Sequence, residues 1–263
     1  MKRLLRTIVR RTPLYAAYRG YLERRSWRLA KRRFLSWTDE DQRRLAFYRP
    51  FVAPGDVVFD VGANLGNRAK VFSRLGAVVV AVEPQAACAD FLEESFRGTP
   101  DVHLVRSALG AAPGEAEMSI CGAHTISSLS HDWIRSVVAS GRFADHVWNR
   151  RERVPVDTLD HLMARFGRPS FIKIDVEGFE DQVVAGLSRP VPALSMEFTP
   201  EYLTAALRCI DHLAGLGDVR FQYSLGESMA FALPEWVGAD AIREALAAVP
   251  AEAVGDLYAR FDG

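Results

Sequence analysis

The sequence has no apolar run approaching the ~18 residues of a membrane span. Near its start, Leu4-Leu5 and Ile8-Val9 are broken up by Arg6, Arg10 and Arg11. The unbroken apolar centre of a secretory signal is therefore missing. Cysteine is scarce, with three in 263 residues, at Cys88, Cys121 and Cys209. An odd, dispersed set excludes a disulfide framework and a cysteine-based zinc site, and suits a reducing compartment. Two phosphate-binding signatures are also absent, Gly-x-Gly-x-x-Gly and the Gly-Lys-Ser/Thr of a P-loop. Their absence disfavours a dinucleotide pyrophosphate cradle, and with it a nicotinamide oxidoreductase, as well as a P-loop nucleotidase. There is no internal repeat, no low-complexity segment and no net charge.

The zero net charge hides an asymmetry. Residues 1–36 hold 12 Lys+Arg and one acid, Glu23. Taking these from the chain's 33 of each leaves 21 basic and 32 acidic residues in the remainder. A basic arm thus precedes an acidic body. After Pro13 the arm reads as helix, with Tyr15, Tyr18, Leu22 and Leu29 sharing a face and Trp27 and Phe34 nearby. Such a helix can pack on the body, or meet an anionic lipid surface or a phosphorylated substrate. Nucleic acid is the weaker expectation, because the basic residues form no recognisable module.

What the chain has in place of the missing signatures is a short buried strand that ends in a small-residue turn. The stretch is Val57-Val58-Phe59-Asp60-Val61-Gly62-Ala63-Asn64-Leu65-Gly66. An apolar run of this length closed by a glycine turn is a parallel-strand signal. A helix over 67–75 and a second buried strand over 77–83 follow. A nine-residue helix descends ~13 Å, and six strand residues climb back ~20 Å. Glu83 should therefore reach the same sheet edge as Asp60, one strand over. An acid there is placed to accept hydrogen bonds from a ribose diol. With no pyrophosphate cradle, a nucleoside ligand fits best.

Alternation continues with a helix over 86–96 and a strand over 102–106, then loosens. Residues 111–114 read as a turn and 115–120 as a strand. Residues 121–150, with His124, His131, His146, Trp133 and Trp148, show weak periodicity, as a lid or substrate wall over a sheet edge does. A short strand at 154–156 and a helix at 159–166 precede renewed alternation: strand 171–176, helix 180–187, strand 193–198, helix 201–216. The spacing then predicts an antiparallel pair, 220–224 with 229–232, around Gly226, and a last helix at 239–248. The fold class is α/β, a doubly wound, mostly parallel sheet with helices on both faces. A helical extension (1–50) precedes one domain (51–263) that carries an insertion near 111–155.

A second acidic cluster closes the strand at 171–176: Lys173-Ile174-Asp175-Val176-Glu177-Gly178-Phe179-Glu180. Helix capping would use one or two such acids; this stretch has more. In a doubly wound sheet the strand after the crossover reversal lies beside the first strand. Asp175 and Glu177 should then face Asp60 across the ligand crevice.

In combination, Phe-Asp-Val-Gly-Ala-Asn-Leu-Gly (59–66), Ala-Val-Glu-Pro (81–84), Ser-Ala-Leu-Gly (107–110), Ser-Ser-Leu (127–129), Val-Asp-Thr-Leu-Asp (156–160) and Ile-Lys-Ile-Asp-Val-Glu-Gly-Phe-Glu (172–180) resemble the FkbM-type family of S-adenosylmethionine-dependent methyltransferases. The resemblance covers roughly 52–200. It implies a class I methyltransferase fold, seven strands with the last pair antiparallel, and O-methylation of a hydroxyl on a sugar, glycolipid or secondary metabolite. It assigns Asp60, Gly62, Asn64 and Gly66 to the methionine and ribose part of S-adenosylmethionine, Glu83 to the ribose hydroxyls, and Ser107 and Ala108 to the adenine border. Ala63, Pro84 and Asp175 complete the cofactor set. Arg68, an unusual charge after the turn, departs from the family pattern.

A hydroxyl acceptor must lose a proton, so a base is expected. The candidates are Asp175, Glu177, His124 and, in the same insertion, His131; Asp175 is the best placed. Asp175 with Glu197 could contribute to a divalent-cation site, but no complete ligand set is legible, so no metal is expected. The expected partners are a small-molecule, glycan or glycolipid acceptor and an anionic membrane met through residues 1–36. Self-association is left open. The expected location is cytoplasmic, including the inner membrane surface. The competing readings are an RNA methyltransferase that uses the basic arm and a non-catalytic cofactor-binding subunit.

Overall fold

A computed structural model describes residues 13–261. The arm's residues 1–12 lie outside them. Helix α1 (Pro13–Leu35) is the helix expected after Pro13, and α2 (Asp39–Tyr48) follows it. Thr38 starts α2 with a reciprocal cap: its hydroxyl accepts the Asp41 N–H, and the Asp41 carboxylate accepts the Thr38 N–H at 2.9 Å.

The remaining elements are β1 (Val57–Val61), α3 (Ala69–Arg74), β2 (Val78–Val82), α4 (Ala86–Ser95), β3 (Val102–Val105), β4 (Ala108–Leu109), β5 (Gly114–Cys121), α5 (His131–Ser140) and β6 (Trp148–Asp157). Then come α6 (Leu159–Phe166), β7 (Phe171–Ile174), α7 (Glu180–Ala185), β8 (Ala193–Phe198), α8 (Leu203–Leu216), β9 (Val219–Leu225), α9 (Ala239–Ala247) and β10 (Gly255–Phe261).

Seven strands form the main sheet in the order β3-β2-β1-β7-β8-β10-β9. The first five run parallel, and β10 is antiparallel to both of its neighbours. The order reverses at β1 and β7, as the doubly wound expectation requires. Period-two alternation along the strands feeds two cores. Phe59, Val61, Val80, Val82, Ile172, Ile174, Leu194 and Met196 pack under α6, α7, α8 and α9. Val58, Val79, Ala81, Phe171, Ala193 and Tyr258 pack under α2, α3 and α4. Leu45 and Tyr48 of α2 belong to this second core, so α2 is built into the domain.

Two sequence expectations are corrected. The partner of β9 is Gly255–Phe261, with Asp256 opposite Ser224, and residues 229–232 form no strand. β10 carries Asp256, Tyr258 and Arg260 among its apolar residues, so it lacks a continuous apolar run. The strand expected at 154–156 runs ten residues, from Trp148. Its charged half, Arg150 to Arg153, pairs antiparallel with β5 in a separate three-stranded sheet whose face is open to solvent. An exposed face removes the apolar periodicity that a search for buried strands relies on. Among the described residues no helix is long and apolar enough to cross a membrane.

Candidate functional site

The switch point leaves a cleft at the C-terminal ends of β1, β2 and β7. Gly62, Asn64, Glu83, Pro84, Ser107, Ala108, His124, Asp175 and Glu177 all line it. Gln85, Thr125, Ser127, Leu129 and Phe179 line it as well. The register sets Asp60 beside Ala81, so Glu83 stands level with Gly62, as the helix-and-strand arithmetic predicts.

Glu83 is buried, 2% exposed. Its Oε2 accepts the Asn64 N–H at 2.8 Å, and its Oε1 accepts the Gln85 N–H at 2.7 Å. Each oxygen keeps a further lone pair to offer a ligand. Burial pushes the carboxyl up to about 7, against the two amides that favour its charged form.

Opposite the turn, His124 descends from the insertion onto Asn64. Its Nδ1 lies 2.6 Å from Asn64 Oδ1, and its backbone oxygen accepts Asn64 Nδ2 at 3.1 Å and Gln85 Nε2 at 3.0 Å. The oxygen partner puts the ring proton on Nδ1. Burial pushes this imidazole down to about 4, so it is neutral at physiological pH. Trp27 of α1 covers the ring, with centroids 4.5 Å apart. Nothing in the sequence pairs residue 27 with residue 124, and periodicity cannot reveal such a contact.

Two of the three non-glycine residues with positive φ among the described residues flank this cleft, Asn64 (52°) and Glu177 (57°). Asparagine tolerates that region, whereas glutamate there is strained. The strain at Glu177 is held by Ser128, whose hydroxyl donates to the Glu177 carbonyl at 2.6 Å. Trp133 of α5 also fills the space over Gly178, which has φ 87° and no room for a Cβ. Ser130 caps α5, and Trp133 Nε1 donates to Thr199 at 3.2 Å. The Ser-Ser-Leu motif thus fastens the insertion to the loop after β7. Gly62 is equally tight. With φ 79°, a Cβ there would overlap the Asp175 carbonyl oxygen. Gly62→Ala combines a left-handed strain with a backbone clash, so it should cost about 3 kcal/mol or more. A thermal melt within a degree of wild type would contradict this.

Asp175, Glu177 and Glu197 come together at the ends of β7 and β8. One carboxylate oxygen from each lies within 4.8 Å of the others. Burial first, then the neighbouring acids, pushes Glu177 and Glu197 well above the usual carboxylate range. Oxygens this close can share a proton or hold a divalent cation. Lys173 lies beneath them, 1% exposed, donating to Asp256 at 2.8 Å and to Asp175 at 3.3 Å. Burial alone would push Lys173 down. The two carboxylates overcome it and hold Lys173 well above its usual range.

Three of the sequence-derived cofactor residues, Asp60, Ala63 and Gly66, do not line the cleft. Asp60 is 2% exposed and points under α3 into a buried polar layer beside Arg68 and Lys173. Burial pushes it up to about 6, and its Oδ2 has no hydrogen-bond partner. Arg68, the unexplained charge, borders that layer and reaches outward to the half-exposed Glu227 at 2.9 Å. His131 is exposed and lies outside the cleft.

The profile of the Methyltransferase FkbM domain family matches residues 60–208. No curated protein matches the sequence. Among solved structures, the chain is similar to a TehB-like SAM-dependent methyltransferase from Corynebacterium glutamicum, with a TM-score of 0.46, 10% identity, and coverage of 92% of this chain and 98% of that one. It is also similar to an O-methyltransferase from Bacillus cereus in complex with SAH, with a TM-score of 0.43, 12% identity, and 86% and 82% coverage. A third is a precorrin-6y C5,15-methyltransferase from Geobacter metallireducens, with a TM-score of 0.43, 13% identity, and 84% and 87% coverage.

Proposed function

Because the chain belongs to the FkbM methyltransferase family and its cofactor is S-adenosylmethionine, we propose that it methylates a hydroxyl group on a sugar, glycolipid or secondary metabolite. The observation that carries this reading is the trio Asp175, Glu177 and Glu197, of which the first two line the cleft. A hydroxyl acceptor has a proton to lose, and carboxylates gathered this closely at the end of β7 are placed to take it; burial and the neighbouring acids raise the basicity of Glu177 and Glu197.

The residues present fit the cofactor. Glu83 offers two buried carboxylate oxygens for the ribose hydroxyls. Gly62 leaves the turn backbone bare, and Ser107 and Ala108 form the border for the adenine. The acids that line the cleft, Glu83, Asp175 and Glu177, suit a cation. When bound, S-adenosylmethionine supplies a methyl group already activated on a positively charged sulfur. The chain must then orient the acceptor, exclude water and accept a proton. Alignment can lower such a barrier by roughly 7–11 kcal/mol in favourable cases. In this reading Asp175 and Glu177 receive the acceptor proton. Neutral His124 orients Asn64 rather than acting as a base.

Asp175→Asn should keep cofactor binding while losing turnover by about 10²–10⁴-fold. Unchanged turnover would remove Asp175 from the base role. Turnover is expected to survive EDTA. A loss that Mg²⁺ restores would instead make Asp175, Glu177 and Glu197 ligands of a divalent cation. The acceptor class is tested by incubating the protein and labelled cofactor with lipid, glycan, RNA and small-molecule fractions of an extract. Label entering RNA alone would overturn the hydroxylated-metabolite reading in favour of an RNA methyltransferase.

A further inference from the structure

Helix α1 is held firmly against the domain. Trp27 rests on His124, and Phe34 meets Phe91 and Phe96 edge-on at 5.3 and 5.7 Å. Lys31 lies over the Phe91 ring at 4.9 Å. Lys70 ties down the C-terminal end by donating to the backbone oxygens of Phe34 and Ser36 at 3.3 and 3.1 Å. Residues 27, 30, 31 and 34 therefore form the inward face at helical spacing.

The same spacing puts Tyr21, Arg25, Arg28, Leu29 and Arg32 on the outward face, and all five are exposed. Of the six exposed large hydrophobic residues in the described chain, four lie between 21 and 37: Tyr21, Leu29, Leu35 and Trp37. Leu35 is 75% exposed. Among the described residues, α1 and the turn after it thus present a run of exposed arginines together with most of the exposed large apolar side chains.

We infer that the outward face of α1 docks on an anionic lipid bilayer. Charge complementarity carries the choice of partner. Arg25, Arg28 and Arg32 show no ion pair among the described residues, and such arginines are drawn to an anionic leaflet. The interleaved leucine and aromatic side chains have no use against a phosphate backbone but fit the headgroup boundary. The helix lies on the surface rather than spanning it, because it is too polar to cross. Its two largest inward side chains, Trp27 and Phe34, pack on the domain and leave, among the described side chains, only Tyr21, Leu29 and Leu35 of this helix to insert. The attraction is therefore mainly electrostatic and salt-sensitive. Since Trp27 also rests on His124, docking fixes how the cofactor cleft faces the membrane.

The test is co-sedimentation of the full chain with vesicles of phosphatidylcholine alone or with about 30 mol% phosphatidylserine. Binding is expected only to the anionic vesicles, with release at about 0.5 M salt. Each basic residue near such a surface is worth roughly a factor of five. The Arg25→Gln/Arg28→Gln/Arg32→Gln variant should therefore lose about a hundredfold in partitioning. Leu29→Asp keeps every arginine and should lose about tenfold. Both variants should retain wild-type melting and S-adenosylmethionine binding, since none of these residues touches the cleft. Equal binding to both vesicle types, or an unchanged triple variant, overturns the inference. So does poly-uridylate displacing the vesicles, which would assign the face to nucleic acid. A dimer in light scattering that the triple variant dissolves would assign it to a second copy's acidic body. The outcome is independent of which acceptor is methylated.

Discussion

Glu83→Ala is expected to weaken S-adenosylmethionine binding by roughly a hundredfold or more. Hydrogen bonds to a charged group are each worth about 1.5–3 kcal/mol, and the ribose diol can make two. The substitution also strips the Asn64 and Gln85 amides of their acceptor, so the turn that carries the cofactor loses its anchor. Isothermal calorimetry separates the two effects. Glu83→Gln keeps an acceptor for the loop but no charge for the ribose, so it should bind with intermediate affinity. If both variants bind like wild type, Glu83 is not the ribose acceptor.

The same carboxyl predicts a pH dependence. Burial holds it at about 7, and the ribose hydroxyls need its charged form. Cofactor affinity should therefore fall as pH drops through 7, by up to tenfold per unit, and the fall should vanish in Glu83→Gln.

Stability should run the opposite way. Glu83 and Glu180, both held near 7, and Asp60, near 6, have folded values raised by burial above their unfolded ones. Groups raised in this way contribute stability that is full below the unfolded carboxyl range and is lost as pH rises through the folded values. Asp41 and Glu227 are shifted down although burial opposes it, held by Lys70 and Arg68 respectively. Their contribution is lost only on further acidification. The cofactor-free protein should accordingly melt higher at pH 5.5 than at pH 8. Bound cofactor should raise the melting temperature most at the higher pH.

Lys173→Met is the second large effect. Removing one partner from a buried ion pair leaves an uncompensated charge and costs about 3–5 kcal/mol. Asp256 would be that charge, with its side chain 8% exposed and its Lys173 contact at 2.8 Å. A melting point lower by about 10 °C is expected for a chain of this size. Lys173→Met combined with Asp256→Asn removes both charges and should recover a substantial part of the loss. If the double variant is no better than the single, the pair is not the reason. Either variant also lets the Asp175 carboxylate move, so turnover should fall further than cofactor affinity.

The sequence made one half of this site readable. β1, its glycine turn, Glu83 at the end of β2 and the acids after β7 are local. Each is a short apolar run followed by a small or acidic residue, and parallel register brings such strand ends to one edge. The other half depends on contacts between distant segments. His124 meets Asn64 across sixty residues, and Trp27 meets His124 from another helix. Asp60 lies off the cleft for a physical reason. Side chains alternate along β1, so a strand-end acid can point into the layer beneath a helix instead of into the cleft. Arg68 explains itself there, since a buried acidic layer requires buried cations. The β10 pairing was hidden because its polar residues are satisfied by Lys173 and the neighbouring strands, a compensation that periodicity does not record.

The position of β10 also bears on synthesis. β8 and β9 are separated in the sheet by a strand that follows both in the chain. While the ribosome is still translating residues before 255, β8 has an open hydrogen-bonding edge, and Lys173 has no Asp256. The parallel half can form first, with that edge available to wrong partners. The nascent chain therefore passes an aggregation-exposed stage after β9 and before β10 emerges. Ribosome-stalled chains ending near residue 250 should recruit chaperones, and chains with β10 fully outside the exit tunnel should release them.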